Sequence, residues 1–197
     1  DPVTKDARFC GTTASMCGVE SAEFEKDEEK LEDAIRLDLM LHAYILCQSG
    51  IPMLYSGDEI GQVNDYSYKD DPDKAADSRY IHRGRFRWEL EKKRDDKESM
   101  QGKIFQGLKQ LEEIRKTEDV FDSSAEVYTY DVHNASVLCI MRRTESDRFF
   151  GIFNFSDRDE TAWMKEDGKF INLLTGEKTT AENILVPGHG FCWIKSE

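Results

Sequence analysis

Residues 50–61 read Gly-Ile-Pro-Met-Leu-Tyr-Ser-Gly-Asp-Glu-Ile-Gly, and this stretch is the most informative part of the sequence about the fold. Its first half is a short apolar run, whereas its second half is rich in glycine and acidic residues that favour a turn. A proline such as Pro52 is tolerated in a sheet only at the start or the edge of a strand. We therefore predict one short buried strand over residues 52–55, followed by a turn that begins at Gly57.

Two helical patterns flank this strand. Apolar residues recur at a spacing of three to four from about Lys26 to Gln48, the first turns are acidic, and Gly50 is expected to stop the helix. A second helical pattern runs from Met100 to Ile114. Helix–strand–helix is the repeating unit of a parallel α/β sheet, and one strand cannot form a sheet. We therefore expect the partner strands to precede this chain in a longer protein.

The sequence changes character after Thr117. Short runs rich in β-branched and aromatic residues follow, separated by turn signals: Val127–Tyr130, Val137–Met141, Phe149–Phe155, Thr161–Met164, Phe170–Leu174, Ile184–Val186 and Phe191–Ile194. This spacing predicts an antiparallel β-sandwich with its own core. Its aromatic residues are interpreted as core residues: Tyr128, Tyr130, Phe149, Phe153, Phe155, Trp163 and Trp193. The predicted fold class is thus α/β plus all-β, with domains over residues 1–120 and 121–197.

Composition narrows the possible partners. The 197 residues carry a formal net charge of −13, with 39% hydrophobic and 34% charged residues. Nucleic acid or an anionic membrane would require a basic face, so neither is expected as a partner, and no apolar run is long enough to cross a bilayer. The acidic balance fits a neutral substrate such as a sugar, and it fits ordinary solubility equally well.

The cysteines and histidines indicate neither a disulfide framework nor a metal site. The five cysteines are scattered without a C-x-x-C motif, and Cys47 and Cys139 lie inside apolar runs. We interpret them as buried free thiols, which are typical of a reducing compartment, and we expect a cytoplasmic location. The four histidines lack metal-ligand spacing, so neither a metal nor a cofactor is predicted.

The stretch 50–61 resembles the eighth-strand motif of glycoside hydrolase family 13, the α-amylase superfamily. Three other stretches resemble the amylosucrase and sucrose-hydrolase branch of that family: Asn64-Asp65-Tyr66, residues 74–85 and residues 6–14. Residues 77–84 read Asp-Ser-Arg-Tyr-Ile-His-Arg-Gly, where the branch has Trp in place of Tyr80 and Pro in place of Gly84. Residues 6–14 read Asp-Ala-Arg-Phe-Cys-Gly-Thr-Thr-Ala. The resemblance implies a C-terminal fragment with helix 7, strand 8 and helix 8 of a TIM (β/α)8 barrel before the β domain.

The resemblance also implies where the chemistry lies. Retaining glycosidases need two carboxyl groups about 5–5.5 Å apart across the glycosidic bond. The family's three catalytic acids would all lie upstream of Asp1, so we predict no catalytic residue in this chain and no activity of the chain alone. Asp58 and Glu59, which are adjacent and tend to point apart, would shape the turn.

By the same resemblance, Arg79 and Arg8 are the predicted substrate-binding residues. Arg79 would reach the bottom of the glucosyl pocket and pair with an upstream aspartate, and Arg8 would lie on the acceptor side. A planar guanidinium can hold a carboxylate and donate to sugar hydroxyls. Asp77, His82 and Arg83 would support the loop. From composition alone, Arg79 would instead be an exposed arginine in a charged loop.

Three functions stay open at this point. The parent protein would act on sucrose by hydrolysis or glucosyl transfer, or on α-glucans as an α-amylase or oligo-glucosidase. In the third alternative, this region is a non-catalytic carbohydrate-binding module. Because the predicted strand lacks its neighbours, we also expect the fragment to self-associate through exposed barrel surface.

Overall fold

The computed structural model describes Lys5 and residues 9–197. The chain divides into two compact units, the first comprising residues up to 38 together with 54–106, and the second comprising residues 39–53 and 107–197. Each unit combines two separate segments of the chain, so the units do not test a single boundary along the sequence. The predicted domain boundary between residues 120 and 121 stays a prediction. No helix among the described residues is long and apolar enough to cross a membrane.

Five α-helices occur in the described part of the chain. In order they are α1 (Thr13–Cys17), α2 (Val19–Glu25), α3 (Glu28–Leu46), α4 (Trp88–Glu91) and α5 (Met100–Thr117). The two long helices, α3 and α5, confirm the two helical patterns of the sequence. The side chain of Asp27 accepts a hydrogen bond from the Lys30 backbone N–H, which satisfies one of the unpaired donors at the start of α3.

The chain after α3 differs from the predicted strand. Residues 51–55 have no regular secondary structure, and within the described part of the chain they pair with no strand. Ile51 and Met53 are 92% and 81% exposed. A strand forms only where a neighbouring backbone accepts and donates its hydrogen bonds, so the strand assignment is wrong for this chain as it stands.

The turn after residues 51–55 has the predicted glycines in the conformation that glycine favours. Gly57 and Gly61 have φ values of 105° and 57°, and the short 3-10 helix Asp58–Ile60 lies between them. A Cβ at Gly61 would come within 2.6 Å of both the Ile104 Cδ1 and the Met100 Sδ atoms on α5. Glycine is therefore required there both by the backbone conformation and by close packing.

The C-terminal residues form one antiparallel sheet with the strand order β1-β2-β3-β6-β4-β5. The strands are β1 (Glu126–Tyr130), β2 (Val137–Arg143), β3 (Arg148–Asn154), β4 (Glu160–Asn172), β5 (Lys178–Val186) and β6 (Phe191–Ser196). The antiparallel β architecture is confirmed, but the sandwich is one continuous sheet. The predicted runs Thr161–Met164 and Phe170–Leu174 belong to one long strand, β4. This strand pairs with β5 with two register shifts, and it pairs with β6 only from Phe170 onward.

One face of this sheet encloses a hydrophobic cluster. Its buried members include Val132, which follows β1, and residues of β2 to β6, among them Cys139, Met141, Phe150, Ile152, Ala162, Met164, Phe170, Ala181 and Ile194. The Trp163 backbone N–H also donates to the Val132 carbonyl, 2.9 Å away, so β4 returns to the chain that leaves β1. The sheet therefore folds over its own core.

The opposite face of β2, β3 and β6 packs against helical residues of the same unit. The Phe153 ring meets Tyr44 of α3 edge to face at 5.7 Å, and Phe121 contacts both Phe149 and Trp193. Phe149, Phe153 and Trp193 are fully buried because their strands are covered on both faces.

Three aromatic side chains that we predicted to be core residues are exposed instead. They are Tyr128 at 41%, Phe155 at 46% and Trp163 at 52% exposure. Strand alternation shows which residues share a face, but it does not show whether that face is covered. Cys47 and Cys139 are buried free thiols as predicted, and burial raises the pKa of Cys47 to about 12.

Two arginines bind the backbone where α3 ends. Arg142 is 1% exposed, and its guanidinium donates to three backbone carbonyls. Nε donates to the carbonyl of Val120 at 2.8 Å, Nη1 to the carbonyl of Cys47 at 3.1 Å, and Nη2 to the carbonyl of Asp122 at 3.0 Å. Arg115 on α5 donates to the carbonyls of Leu46, Gln48 and Gly50. Both guanidinium groups lie over the ring of Phe121. They satisfy carbonyl groups that a helix end leaves without partners.

Replacing Arg142 by Ala is expected to lower the free energy of unfolding by about 3 kcal/mol, because three backbone carbonyls would lose their donor. Arg143→Ala is the matched control, since Arg143 is the next residue along β2 and is exposed. It should change the free energy by less than about 0.5 kcal/mol. Urea unfolding followed by circular dichroism measures both, and equal losses would contradict a stabilising role for Arg142.

Candidate functional site

The predicted site residues that the structure describes lie in the first unit, in the loops between residues 57 and 89. Asp58 and Glu59 bind the turn itself: Asp58 Oδ2 accepts from the Tyr55 backbone N–H at 3.0 Å, and Glu59 Oε2 accepts from the Gly57 N–H at 2.7 Å. These two carboxylates therefore hold the turn by local hydrogen bonds, the geometry expected of residues that shape it. Whether the turn supports a substrate pocket stays a prediction.

Arg79 forms a close pair with Asp77. The Arg79 Nε–H donates to Asp77 Oδ1 at 2.8 Å, and the Nη2–H donates to Oδ2 at 2.7 Å. The same carboxylate caps the 3-10 helix Ser78–His82 by accepting from the Arg79 backbone N–H at 3.0 Å. These hydrogen bonds to Arg79 lower the pKa of Asp77 to about 2. The Arg79 side chain is 49% exposed, so its guanidinium can reach other groups as well.

The last residue of this short helix, His82, and the residue that follows it, Arg83, contact aromatic rings. The imidazole of His82 meets the Tyr55 ring edge to face at 5.8 Å, and burial, followed by the charge of Arg83, lowers the His82 pKa. The guanidinium of Arg83 lies 5.7 Å from the centre of the Tyr80 ring. Both residues therefore contact rings within the loop, and their supporting role stays a prediction. The other predicted arginine, Arg8, lies outside the described residues.

Asn64 fastens this loop to the helices at the start of the chain. Its Oδ1 accepts from the Thr12 backbone N–H at 2.9 Å, its backbone N–H donates to Ser15 Oγ at 2.9 Å, and its Nδ2 donates to Glu20 at 3.2 Å. Sequence reasoning did not assign a role to Asn64. An asparagine carries both donors and acceptors, but only the folded chain shows that these bonds span about fifty residues.

A cavity of about 530 Å³ lies beside this loop. It is lined by side chains of residues 65–74 and 80–89, among them Lys74, Arg85 and Arg87. Sequence reasoning singled out none of these three basic residues. The signal was present, because arginines at positions 83, 85 and 87 share one side of an extended chain. The described residues contain no cluster of histidine, cysteine, aspartate or glutamate that could hold a metal ion.

Comparison with solved structures shows the fold of this chain among amylases and related hydrolases. A maltogenic amylase from S. marinus matches with a TM-score of 0.55 and 19% identity, over 82% of this chain and 19% of that chain. AmyP in complex with maltose matches with a TM-score of 0.65 and 18% identity, over 82% and 35%. The trehalose-6-phosphate hydrolase of Bacillus licheniformis matches with a TM-score of 0.58 and 15% identity, over 81% and 38%.

These matches are to the C-terminal part of larger enzymes. The chain spans about a fifth to two fifths of the length of the three structures. No family model matches the sequence. At this level of identity the likeness establishes the fold alone, helices followed by an antiparallel sheet, and it leaves the family, the activity and the substrate open.

The Asp77–Arg79 pair predicts a specific acid titration. A folded-state pKa of about 2, below the ordinary value of 3.8, means that the pair stabilises the loop above about pH 4 and that this contribution is lost as the pH falls towards 2. Carboxyl-carbon NMR of Asp77 should give a midpoint near 2. Arg79→Gln should move the midpoint up towards 4, whereas Arg158→Gln in the β domain should not. An unchanged midpoint in Arg79→Gln would contradict the pairing.

Proposed function

We propose that this chain is the C-terminal part of a glycoside hydrolase of the α-amylase superfamily. In this proposal residues 1–120 complete a (β/α)8 barrel, and residues 121–197 form the β domain that follows it. The observation that carries the proposal is the fold match to amylases over more than four fifths of the chain. The sequence motif at residues 50–61 supports it independently.

The exposed residues after α3 also favour a barrel strand at this position. In a closed barrel a strand has hydrogen-bonded neighbours on both edges and side chains covered on both sides. Ile51 and Met53 are apolar yet almost fully exposed, which costs about 1.5–3 kcal/mol for each such side chain relative to burial. Partner strands in the rest of a longer protein would remove that cost.

Two substrate classes are candidates, both acted on by a retaining mechanism whose acids the rest of the protein supplies. Hydrolysis of α-glucans or their oligosaccharides is favoured by the structural neighbours, which are named as amylases and related hydrolases. Cleavage of sucrose, by hydrolysis or glucosyl transfer, is favoured by the Asp77-Ser78-Arg79 block. A net charge of −13 suits a carbohydrate partner better than nucleic acid or a membrane, and the free thiols suit the cytoplasm.

A non-catalytic carbohydrate-binding module is the alternative from another class. Such a module would keep its affinity for maltooligosaccharides as an isolated chain, whereas a barrel fragment would lose it. Trp163, which is 52% exposed on β4, is the aromatic side chain of the sheet best placed for such stacking.

The exposed apolar residues predict self-association of the chain on its own. Light scattering after size-exclusion chromatography should give a mass above that of the monomer at tens of micromolar. Ile51→Lys with Met53→Lys should restore the monomer, because two charges would oppose burial of this segment. Leu185→Lys is the control, since Leu185 is equally apolar and 64% exposed on β5. A wild-type chain that stays monomeric would contradict the proposal that residues 51–55 need a neighbour.

Kinetics of the full-length protein test the role of Arg79. If its guanidinium holds the glucosyl ring in position, Arg79→Ala should lower kcat/KM by about two orders of magnitude, at roughly 1.4 kcal/mol per tenfold. Arg79→Lys should recover only part of the loss, because a point charge cannot reproduce the planar fork. Sucrose, maltotetraose and starch should be compared as substrates, which also decides between the two substrate classes.

Two controls accompany this experiment. Arg143→Ala removes an exposed arginine from the β domain and should leave kcat/KM unchanged. The 197-residue chain alone should release no glucose from any of the three substrates. Near-normal turnover of a folded Arg79→Ala enzyme would show that Arg79 is a surface residue without a role in the pocket, and glucose release by the chain alone would overturn the proposed division of the active site.

A further inference from the structure

Asn64 is bonded to the segment of residues 10–20, which contains α1, by its side chain and by its backbone N–H. Its Oδ1 accepts from the Thr12 backbone N–H at 2.9 Å, and its backbone N–H donates to Ser15 Oγ at 2.9 Å. Its Nδ2 donates to Glu20 Oε2 at 3.2 Å, and the same carboxylate oxygen accepts from Ser15 Oγ at 2.7 Å. The partners therefore bond to each other as well as to Asn64, and the network is closed.

The residue after Asn64 connects this network to the loop that carries Arg79. The Asp65 backbone N–H donates to the Ile81 carbonyl at 2.8 Å, and Ile81 lies in the 3-10 helix Ser78–His82 together with Arg79. All these residues belong to the first unit. A displacement of Asn64 therefore reaches the helix of Arg79 through one peptide unit and one hydrogen bond.

Close packing accompanies these hydrogen bonds. The Ser78 Oγ–H donates to Cys10 Sγ, 3.7 Å away, so the residue before Arg79 also meets the segment 10–20. A Cβ at Gly11 would lie 3.3 Å from Asn64 Oδ1, and glycine therefore lets the backbone of that segment approach Asn64 closely. The loop of Arg79 is thus held against the segment 10–20 at two places.

The ion pair of Arg79 acts over a much shorter range. Its partner, Asp77, is only two residues away in the sequence, so the pair orients the guanidinium relative to its own loop. It does not place that loop relative to the rest of the first unit. The bonds of Asn64 span 44 to 52 residues, and bonds of this range can place the loop.

We propose that Asn64 is a positioning residue for Arg79, because it fixes the loop that carries the guanidinium to the segment 10–20. This role rests on the proposed function, in which Arg79 holds the glucosyl ring, and it extends that function to a residue that itself touches no substrate. A misplacement of about 1 Å can cost about a hundredfold in rate. Loss of the Asn64 side chain should therefore lower kcat/KM, but by less than loss of Arg79 itself.

A double-mutant cycle in the steady-state kinetics of the full-length protein tests this role. Asn64→Ala should lower kcat/KM by about tenfold in the wild-type enzyme but by less than about twofold in the Arg79→Ala enzyme, where no guanidinium is left to position. Equal losses in the two backgrounds would show that Asn64 acts independently of Arg79, and they would overturn the positioning role.

The same cycle separates this role from the proposed function. Normal kcat/KM in Asn64→Ala, together with a large loss in Arg79→Ala, would overturn the positioning role and leave the proposed function intact. Unchanged kcat/KM in Arg79→Ala would contradict the role of Arg79 in the pocket, and the positioning role would fall with it.

Asn134 provides the matched control, because it is a half-buried asparagine that forms similar ties in the β domain. Its Nδ2 donates to Glu160 Oε2 at 2.8 Å and to the Thr161 carbonyl at 3.1 Å. Asn134→Ala should therefore leave kcat/KM within about twofold of wild type, since it lies outside the loop of Arg79. A loss equal to that of Asn64→Ala would indicate a general effect of stability and would overturn the positioning role.

Exchange of the donor and the acceptor tests the bond itself and does not depend on the folding of Asn64→Ala. Asn64→Asp places a second carboxylate beside Glu20 and should lower kcat/KM by about tenfold, because like charges repel. Adding Glu20→Gln restores an amide–carboxylate pair and should bring kcat/KM back to within about threefold of wild type. Circular dichroism checks that the variants fold. A folded double variant that is no more active than Asn64→Asp would overturn the positioning role.

Discussion

Arg142 donates three hydrogen bonds to backbone carbonyls from two separate segments, and the second unit depends on this one buried guanidinium. It joins β2 to Cys47, where α3 ends, and to the connection that follows α5. A buried arginine without a carboxylate partner is costly, and burial does lower its pKa, but carbonyl dipoles and the Phe121 ring replace the water that it loses. Because an arginine stays charged, the arrangement holds at any physiological pH.

The packing on both faces of the sheet follows from this constraint. With the ends of α3 and α5 fixed against β2, β3 and β6, these central strands are covered by helical residues on one side and by the folded-over sheet on the other. Phe149, Phe153 and Trp193 are therefore fully buried, whereas Trp163 on β4 has only one face of its strand covered. The exit of α3 is held by Arg115 through the carbonyl of Gly50, immediately before the unpaired residues 51–55.

The candidate site is built by a different kind of interaction. Its loops contain only short 3-10 helices, which are held by side-chain caps such as Asp65 on Ser67 and Asp77 on Arg79 and by the long-range bonds of Asn64. Local caps of this kind order a surface loop without a hydrophobic core beneath it. The result is a rim of charged side chains, in which Arg79 pairs with Asp77 and in which Arg83, Arg85 and Arg87 line the cavity beside the loop.

The sequence by itself determined the two long helices, the turn at residues 57–61 and the antiparallel β region, because spacing, glycine and turn residues act over a few positions. It also indicated the amylase-type fold through one motif. The folded chain was needed to show that residues 51–55 pair with no strand among the described residues, that β4 is one long irregular strand, and that Arg142 is buried while Arg143 is exposed. These outcomes depend on which surfaces meet across about twenty to a hundred residues of chain, as in the bond from Arg142 to Cys47, and local pattern carries no information about such partners.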